Sequence, residues 1–167
     1  GDTNYLFLLA VFRDITTDAA PYLAVGMDTN RVSGSGEKWF GGIADAQMDT
    51  EAWREYELVL NSNKGGYFGT GAGQWNWTEA ATRSISTTYD AIEARYAWTE
   101  FKVTLPVTLR FTAITARHNG SGNTQDLYQC NALDAINTVT DNTWVDVQDS
   151  VANYYFDVNF NANGRVN

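Results

Sequence analysis

The groups able to do chemistry in this chain are aromatic rings and carboxyl oxygens rather than nucleophiles. Trp39, Trp75, Trp77 and Trp144 stand in Gly-, Asn- and Thr-rich stretches, DTNRVSGSGEKWFGG (28–42), GQWNWTEAATRS (73–84) and NTWVDV (142–147), outside the apolar runs expected to build a core. A tryptophan in such a stretch exposes a large apolar face unless something covers it. Rimmed by Asn, Asp and Thr, it is the surface on which a sugar ring stacks, and equally the surface of a subunit contact. Trp75 and Trp77 alternate about Asn76, so in an extended segment their rings face the same way and can stack successive sugars. The competing reading is a hydrophobic plug at one end of the fold. Trp98, close to Phe101, and Trp53, leading into an apolar strand, are assigned to the core.

The second constellation is the loop carrying Asp28, Asn30, Ser33, Ser35 and Glu37, with Asp45 and Asp49 downstream. Ca²⁺ takes six to eight oxygens in flexible geometry, which a Gly-punctuated DxN…GxGE loop can wrap around it. Asp28, Asn30, Glu37 and Asp45 are the expected ligands of such a Ca²⁺ site. The spacing is not that of an EF-hand. The alternative is an acidic turn whose Asp and Asn side chains bond their own backbone.

Other chemistry has little to stand on. His118 has no Ser or Cys nucleophile motif to serve, and HExxH, CxxC, GxSxG and P-loop patterns are absent from the sequence. Haem would have only Met27, Met48 and His118 to draw on among Met and His, and Met27 reads as strand packing. Carboxylates are plentiful, yet none form a recognisable acid/base pair for glycoside hydrolysis. No catalytic residue is expected. With 11 basic against 20 acidic residues, the net charge of −9 argues against nucleic acid and anionic membrane partners. The longest apolar run, Tyr5–Phe12, is too short to insert across a membrane. Cys130 is the only cysteine, so an intrachain disulfide is impossible. Two sequons, at Asn76 and Asn119, are compatible with export.

These groups are positioned by elements of period two. Tyr5–Phe12 and Tyr22–Met27 are strand-length apolar runs, and Glu55–Leu60 places Tyr56, Leu58 and Leu60 on one face. Ile92, Ala94 and Tyr96 form another inward set. Leu109, Phe111, Ala113 and Thr115 form a fourth, and Tyr154, Phe156, Val158 and Phe160 a fifth. Asp45–Trp53 is open to a short helix, and only 98–102 and 131–137 read as brief helical turns. At least six strands in 167 residues, with neither repeat nor linker, predict a single all-β domain over 1–167, an antiparallel β-sandwich of jelly-roll or Ig-like type with one or two short helical turns.

In order, the segments NYLFLLAVF, PYLAVGMDTNRVSGSGEKWFGG, EYELVLN, YDAIEARYAWTEF, LRFTAITARHNGSGNTQD and VANYYFDVNF cover most of the chain. In this succession the chain resembles the DOMON-like β-sandwiches, a superfamily that includes family 9 carbohydrate-binding modules and related modules appended to extracellular amylolytic enzymes. The resemblance implies a non-catalytic module of an extracellular or cell-surface protein, often with bound Ca²⁺, whose partner is a polysaccharide or oligosaccharide. By position, the loop of Asp28, Asn30 and Glu37 resembles the loop after an early strand in that group. Some relatives bind haem, and others serve in surface assembly. Modules of this type usually have a further strand before the opening one here, so the chain is expected to be part of a longer exported protein. An open sheet edge would then invite self-assembly, as in a structural module of a surface layer or filament.

Overall fold

A computed structural model describes residues 1–12, 15, 21–40, 46–61, 65–69, 76–80, 82–118, 127–132, 138–139 and 150–167. Among them run thirteen strands: β1 Tyr5–Val11, β2 Pro21–Asp28, β3 Ala46–Met48, β4 Tyr56–Asn61, β5 Gly65–Phe68, β6 Trp77–Glu79, β7 Thr82–Ser86, β8 Ala91–Ala97, β9 Val107–His118, β10 Leu127–Ala132, β11 Thr138–Val139, β12 Ser150–Ala152 and β13 Phe156–Phe160. The only described helical pieces are 3₁₀ turns at Thr50–Ala52 and Trp98–Phe101. The second matches the turn expected at 98–102, and the first is all the helix that the described part of Asp45–Trp53 holds. The turn expected over 131–137 is not found at Asn131 and Ala132, which end strand β10, and 133–137 lies outside the described residues.

The strands form an all-β sandwich. An eight-stranded antiparallel sheet has the order β11-β10-β9-β2-β4-β5-β6, with β13 also paired to β9. A three-stranded antiparallel sheet, β1-β8-β7, packs on one face of it. The alternation read from the sequence sets which side chains meet. Val25, Met27, Tyr56, Leu58, Leu60, Leu109, Phe111 and Ala113 from the large sheet join Leu6, Ala10, Ile92, Ala94 and Tyr96 from the small one. Phe101 sits in the middle of an aromatic group, its ring 5.0 Å from Tyr56, 5.4 Å from Tyr67 and 6.0 Å from Tyr96. Trp98 is buried as expected and donates from Nε1 to the Asp2 carbonyl at 2.8 Å. On β13 Phe160 is buried and Val158 half-buried, whereas Phe156, on the same face at the mouth of the groove, is exposed, as is Tyr154, which precedes the strand.

The opposite face of the large sheet is covered as well. Ala24, Val59 and Ile114 point outward from β2, β4 and β9 and are buried under Phe40, Met48 and Ala152, with Trp53, Phe68 and Trp77 packed around them. This outer layer is carried by residues 28–40 and 50–54 and by the parallel pair β3–β12, whose register sets Gln47 beside Val151. A parallel pair between short strands far apart in sequence leaves no local pattern to read, and neither β3 nor β12 was expected. The glycine-containing β5 and the short polar strands β6 and β7 were likewise absent from the reading of the sequence.

Candidate functional site

The outer layer gathers most of the residues singled out in the sequence. Cross-strand register places Gly26, Glu57, Phe68 and Trp77 in one row over β2, β4, β5 and β6. Trp77 therefore opens a strand rather than sitting in a loop. Its ring meets Phe68 edge-on at 5.2 Å and packs on the buried outer cluster, yet the residue stays half-exposed. Its Nε1 donates to Glu79 Oε1 at 2.6 Å, which fixes the indole against the strand. Gly66 makes this placement possible: a Cβ there would strike the Thr78 carbonyl oxygen and come within 2.6 Å of the Trp77 ring. Gly66→Ala is expected to shift β6, to destabilise the fold by about 1–3 kcal/mol and to change the tryptophan emission spectrum, read by denaturant unfolding and fluorescence.

Trp39 is half-exposed too, in an isolated bridge with Gln47 of β3, with Lys38 Nζ 5.0 Å from its ring centre. Its backbone is held from both sides. The Trp39 N–H donates to Glu37 Oε1 at 3.1 Å, and its carbonyl accepts from Arg54 Nε, also at 3.1 Å. Trp75, Trp144 and Asp45 lie outside the described residues.

Two neighbouring residues that the sequence reading did not single out organise the acidic loop. Arg54 exchanges backbone hydrogen bonds with Glu37 at 2.8 and 3.0 Å, and its side chain reaches Glu57 Oε2 at 3.0 Å, both side chains being fully buried. Gly36, at a φ of +96°, lets the loop pass against the Arg54 carbonyl, which a Cβ would strike. Glu55 holds the first half of the loop. Its Oε2 accepts from the Thr29 N–H at 2.8 Å and its Oε1 from Asn30 Nδ2 at 2.7 Å and Ser35 Oγ at 3.2 Å. Asp28 Oδ1 takes the N–H groups of Asn30 and Arg31, and Asn30 Oδ1 takes that of Val32. These are Asx turns, the alternative weighed above, with Arg31 in the left-handed region at φ 55°. The signal was available in Asp and Asn at the head of a Gly/Ser loop. Its partners, Arg54 and Glu55, lie more than fifteen residues away.

The expected cation ligands thus have oxygens engaged within the loop. Asn30 Oδ1 and Glu37 Oε1 accept backbone N–H groups, and among the described residues no three His, Cys, Asp or Glu side chains come together. Asp28 Oδ2 is the exception, being buried without a hydrogen-bond partner.

Burial, with the charge of Glu55 adding to it, pushes the Asp28 carboxyl up to about 6, against hydrogen bonds from Arg31 and Asn30 that pull it down. The native state therefore binds a proton more tightly than the unfolded chain. The contribution is fully present below the unfolded value of 3.8 and is lost as pH rises through about 6. Asp28→Asn keeps the Oδ1 acceptor and removes the charge. With chelator present it is expected to be more stable than the wild type by about 1–3 kcal/mol at pH 8, with the gap closing towards pH 4 in parallel urea titrations.

Next to Asp28 on the same row, Arg110 grips Asp157 with both ends of its guanidinium, Nε to Oδ1 at 2.8 Å and Nη2 to Oδ2 at 3.2 Å. It also donates to the Glu51 carbonyl at 2.8 Å and lies 4.3 Å from the Tyr155 ring centre. The Arg110 hydrogen bonds hold the Asp157 carboxyl below its ordinary value, the opposite displacement from Asp28 two strands away.

The fold and this outer layer define an all-β sandwich with half-exposed tryptophans above a buried ionic network. No protein family, no curated protein and no solved structure matches the chain. Among the described residues no helix is long and apolar enough to cross a membrane.

Proposed function

We propose that this domain is a non-catalytic carbohydrate-binding module of an extracellular or cell-surface protein, with Trp77 and Trp39 as its described stacking rings. The observation that supports this reading is the half-exposed Trp77 indole, immobilised on Gly66 and Phe68 with the exposed Glu79 carboxylate at its edge. A fixed ring with a hydrogen-bond acceptor beside it suits a sugar, which offers an apolar C–H face and hydroxyls around its rim. Trp75 and Trp144 are proposed to extend the surface. Ca²⁺ is carried as part of the same proposal, with Asp28 as its described anchor.

Affinity electrophoresis through gels containing starch, pullulan, xylan, cellulose derivatives or β-1,3-glucan tests this, with Ca²⁺ and with chelator. Retardation by one polymer, lost in Trp77→Ala while unfolding shows a folded domain, is the expected result. Unretarded migration in every gel would sink the proposal. Retardation and melting temperature both unmoved by chelator would remove the ion from it.

A further inference from the structure

The two edges of the three-stranded sheet are built differently. The β7 edge reads Thr-Arg-Ser-Ile-Ser, exposed and carrying a charge, the composition that keeps a strand from pairing with a stranger. At the other edge β1 reads Tyr-Leu-Phe-Leu-Leu-Ala-Val over seven residues without a charge, a proline or a bulge. It pairs with β8 on one side, from Tyr5 opposite Ala97 to Val11 opposite Ala91, and among the described residues no strand pairs with its other side. Its outward side chains are bare: Phe7 is 40%, Leu9 60% and Val11 70% exposed. Its inward side borders an open apolar groove of about 440 Å³ between the two sheets, where Leu6 and Leu8 face Phe111, Phe156, Val158 and Phe160. Backbone donors and acceptors along an edge call for another extended strand, and apolar groups on both sides call for one that is apolar on both of its own faces.

We infer that β1 is the interface between two copies of this chain, paired antiparallel about Leu8 across a two-fold axis. The strand is its own complement. In that register Phe7 lies opposite Leu9 of the second copy on either side of the axis, which covers the bare centre of the strand with aromatic–aliphatic cross-strand pairs. The pairing stops short of Tyr5, whose N–H and carbonyl are already bonded to Asp2. The flanking charges agree. Register with β8 puts Arg95 beside Phe7 and Glu93 beside Leu9. Antiparallel pairing therefore ends each outward row in Arg95 of one copy and Glu93 of the other, whereas an in-register parallel pairing would end both rows in like charges. β13, which borders the groove from the large sheet, carries Asp157 and does not offer this match. The pairing leaves the Trp77 face untouched, so it stands or falls apart from the sugar reading.

Sedimentation of the wild type across a micromolar to submillimolar series is expected to show a monomer–dimer equilibrium. Leu9→Lys, at an exposed position, is expected to raise the dissociation constant at least about tenfold, with a melting temperature equal to the wild type's at concentrations where both are monomeric. Combining Phe7→Glu with Leu9→Lys in one chain sets opposite charges across the proposed pair and is expected to recover dimer, a result that depends on this register. A wild-type monomer throughout the series would overturn the inference. So would a dimer indifferent to Leu9→Lys, or a double variant as weak as the single one.

Discussion

Arg54→Met is expected to destabilise the domain by about 3–5 kcal/mol, the cost of leaving a buried carboxylate without its counter-ion. Arg54 and Glu57 are both fully buried, with Nε and Oε2 3.0 Å apart, so neither charge has water to fall back on. Truncation also deprives the Trp39 carbonyl of its donor. Replacing both partners together, Arg54→Met with Glu57→Leu, is expected to recover most of the loss, because two apolar side chains remove the desolvation penalty with the pair. Urea unfolding of the single and double variants checks both statements through the coupling energy of the cycle. Equal losses in the single and double variants would mean that Arg54 matters for its hydrogen bond to the Trp39 carbonyl rather than for its pairing with Glu57.

Two phenylalanines, each essentially fully buried, separate the stability of the sandwich from that of its outer layer. Phe101→Ala empties the aromatic group between the sheets, and Phe40→Ala empties the centre of the outer cluster. Each is expected to cost about 3–5 kcal/mol by transfer and cavity terms. Their consequences differ by location. Phe40 adjoins Trp39 in the chain and shares its cluster with Trp77, so Phe40→Ala is expected to weaken polysaccharide retardation well below unfolding conditions. Phe101 lies across the sheet from both rings, and its variant is expected to bind like the wild type while folded. Paired thermal melts and affinity gels distinguish the two; loss of binding in both variants would tie the outer surface to the whole fold.

Period-two alternation was enough to assign the sandwich. The pattern in 55–60, 91–96 and 108–117 named Tyr56, Leu58, Leu60, Ile92, Ala94, Tyr96, Leu109, Phe111 and Ala113 as inward, and all are buried between the sheets. Strands buried on one face, or nearly so, carry that information locally, because successive side chains alternate between core and solvent. β2, β4 and β9 are buried on both faces; β2 shows this as a continuous apolar run, but for β4 and β9 the sequence named one side of the core without revealing that a second layer covers the other.

The candidate site was legible in its residue types and illegible in its wiring. Asp and Asn at the head of a Gly/Ser loop announce a side-chain-stitched turn, and a tryptophan among polar residues announces a partly exposed ring. That the turn closes on Arg54 and Glu55, that Trp77 lies on Gly66, and that Asp28 is buried while Asp157 is paired are all products of cross-strand register. Register is set by pairings distant in sequence, such as Asp28 with Arg110 and Phe68 with Trp77. The sequence by itself therefore determined the all-β class and the inward faces, since both follow from side-chain alternation along one strand. Only the tertiary structure decided which carboxylates are buried, which rings remain half-exposed and which edge of the small sheet is left open, because burial and pairing belong to neighbours that local sequence does not name.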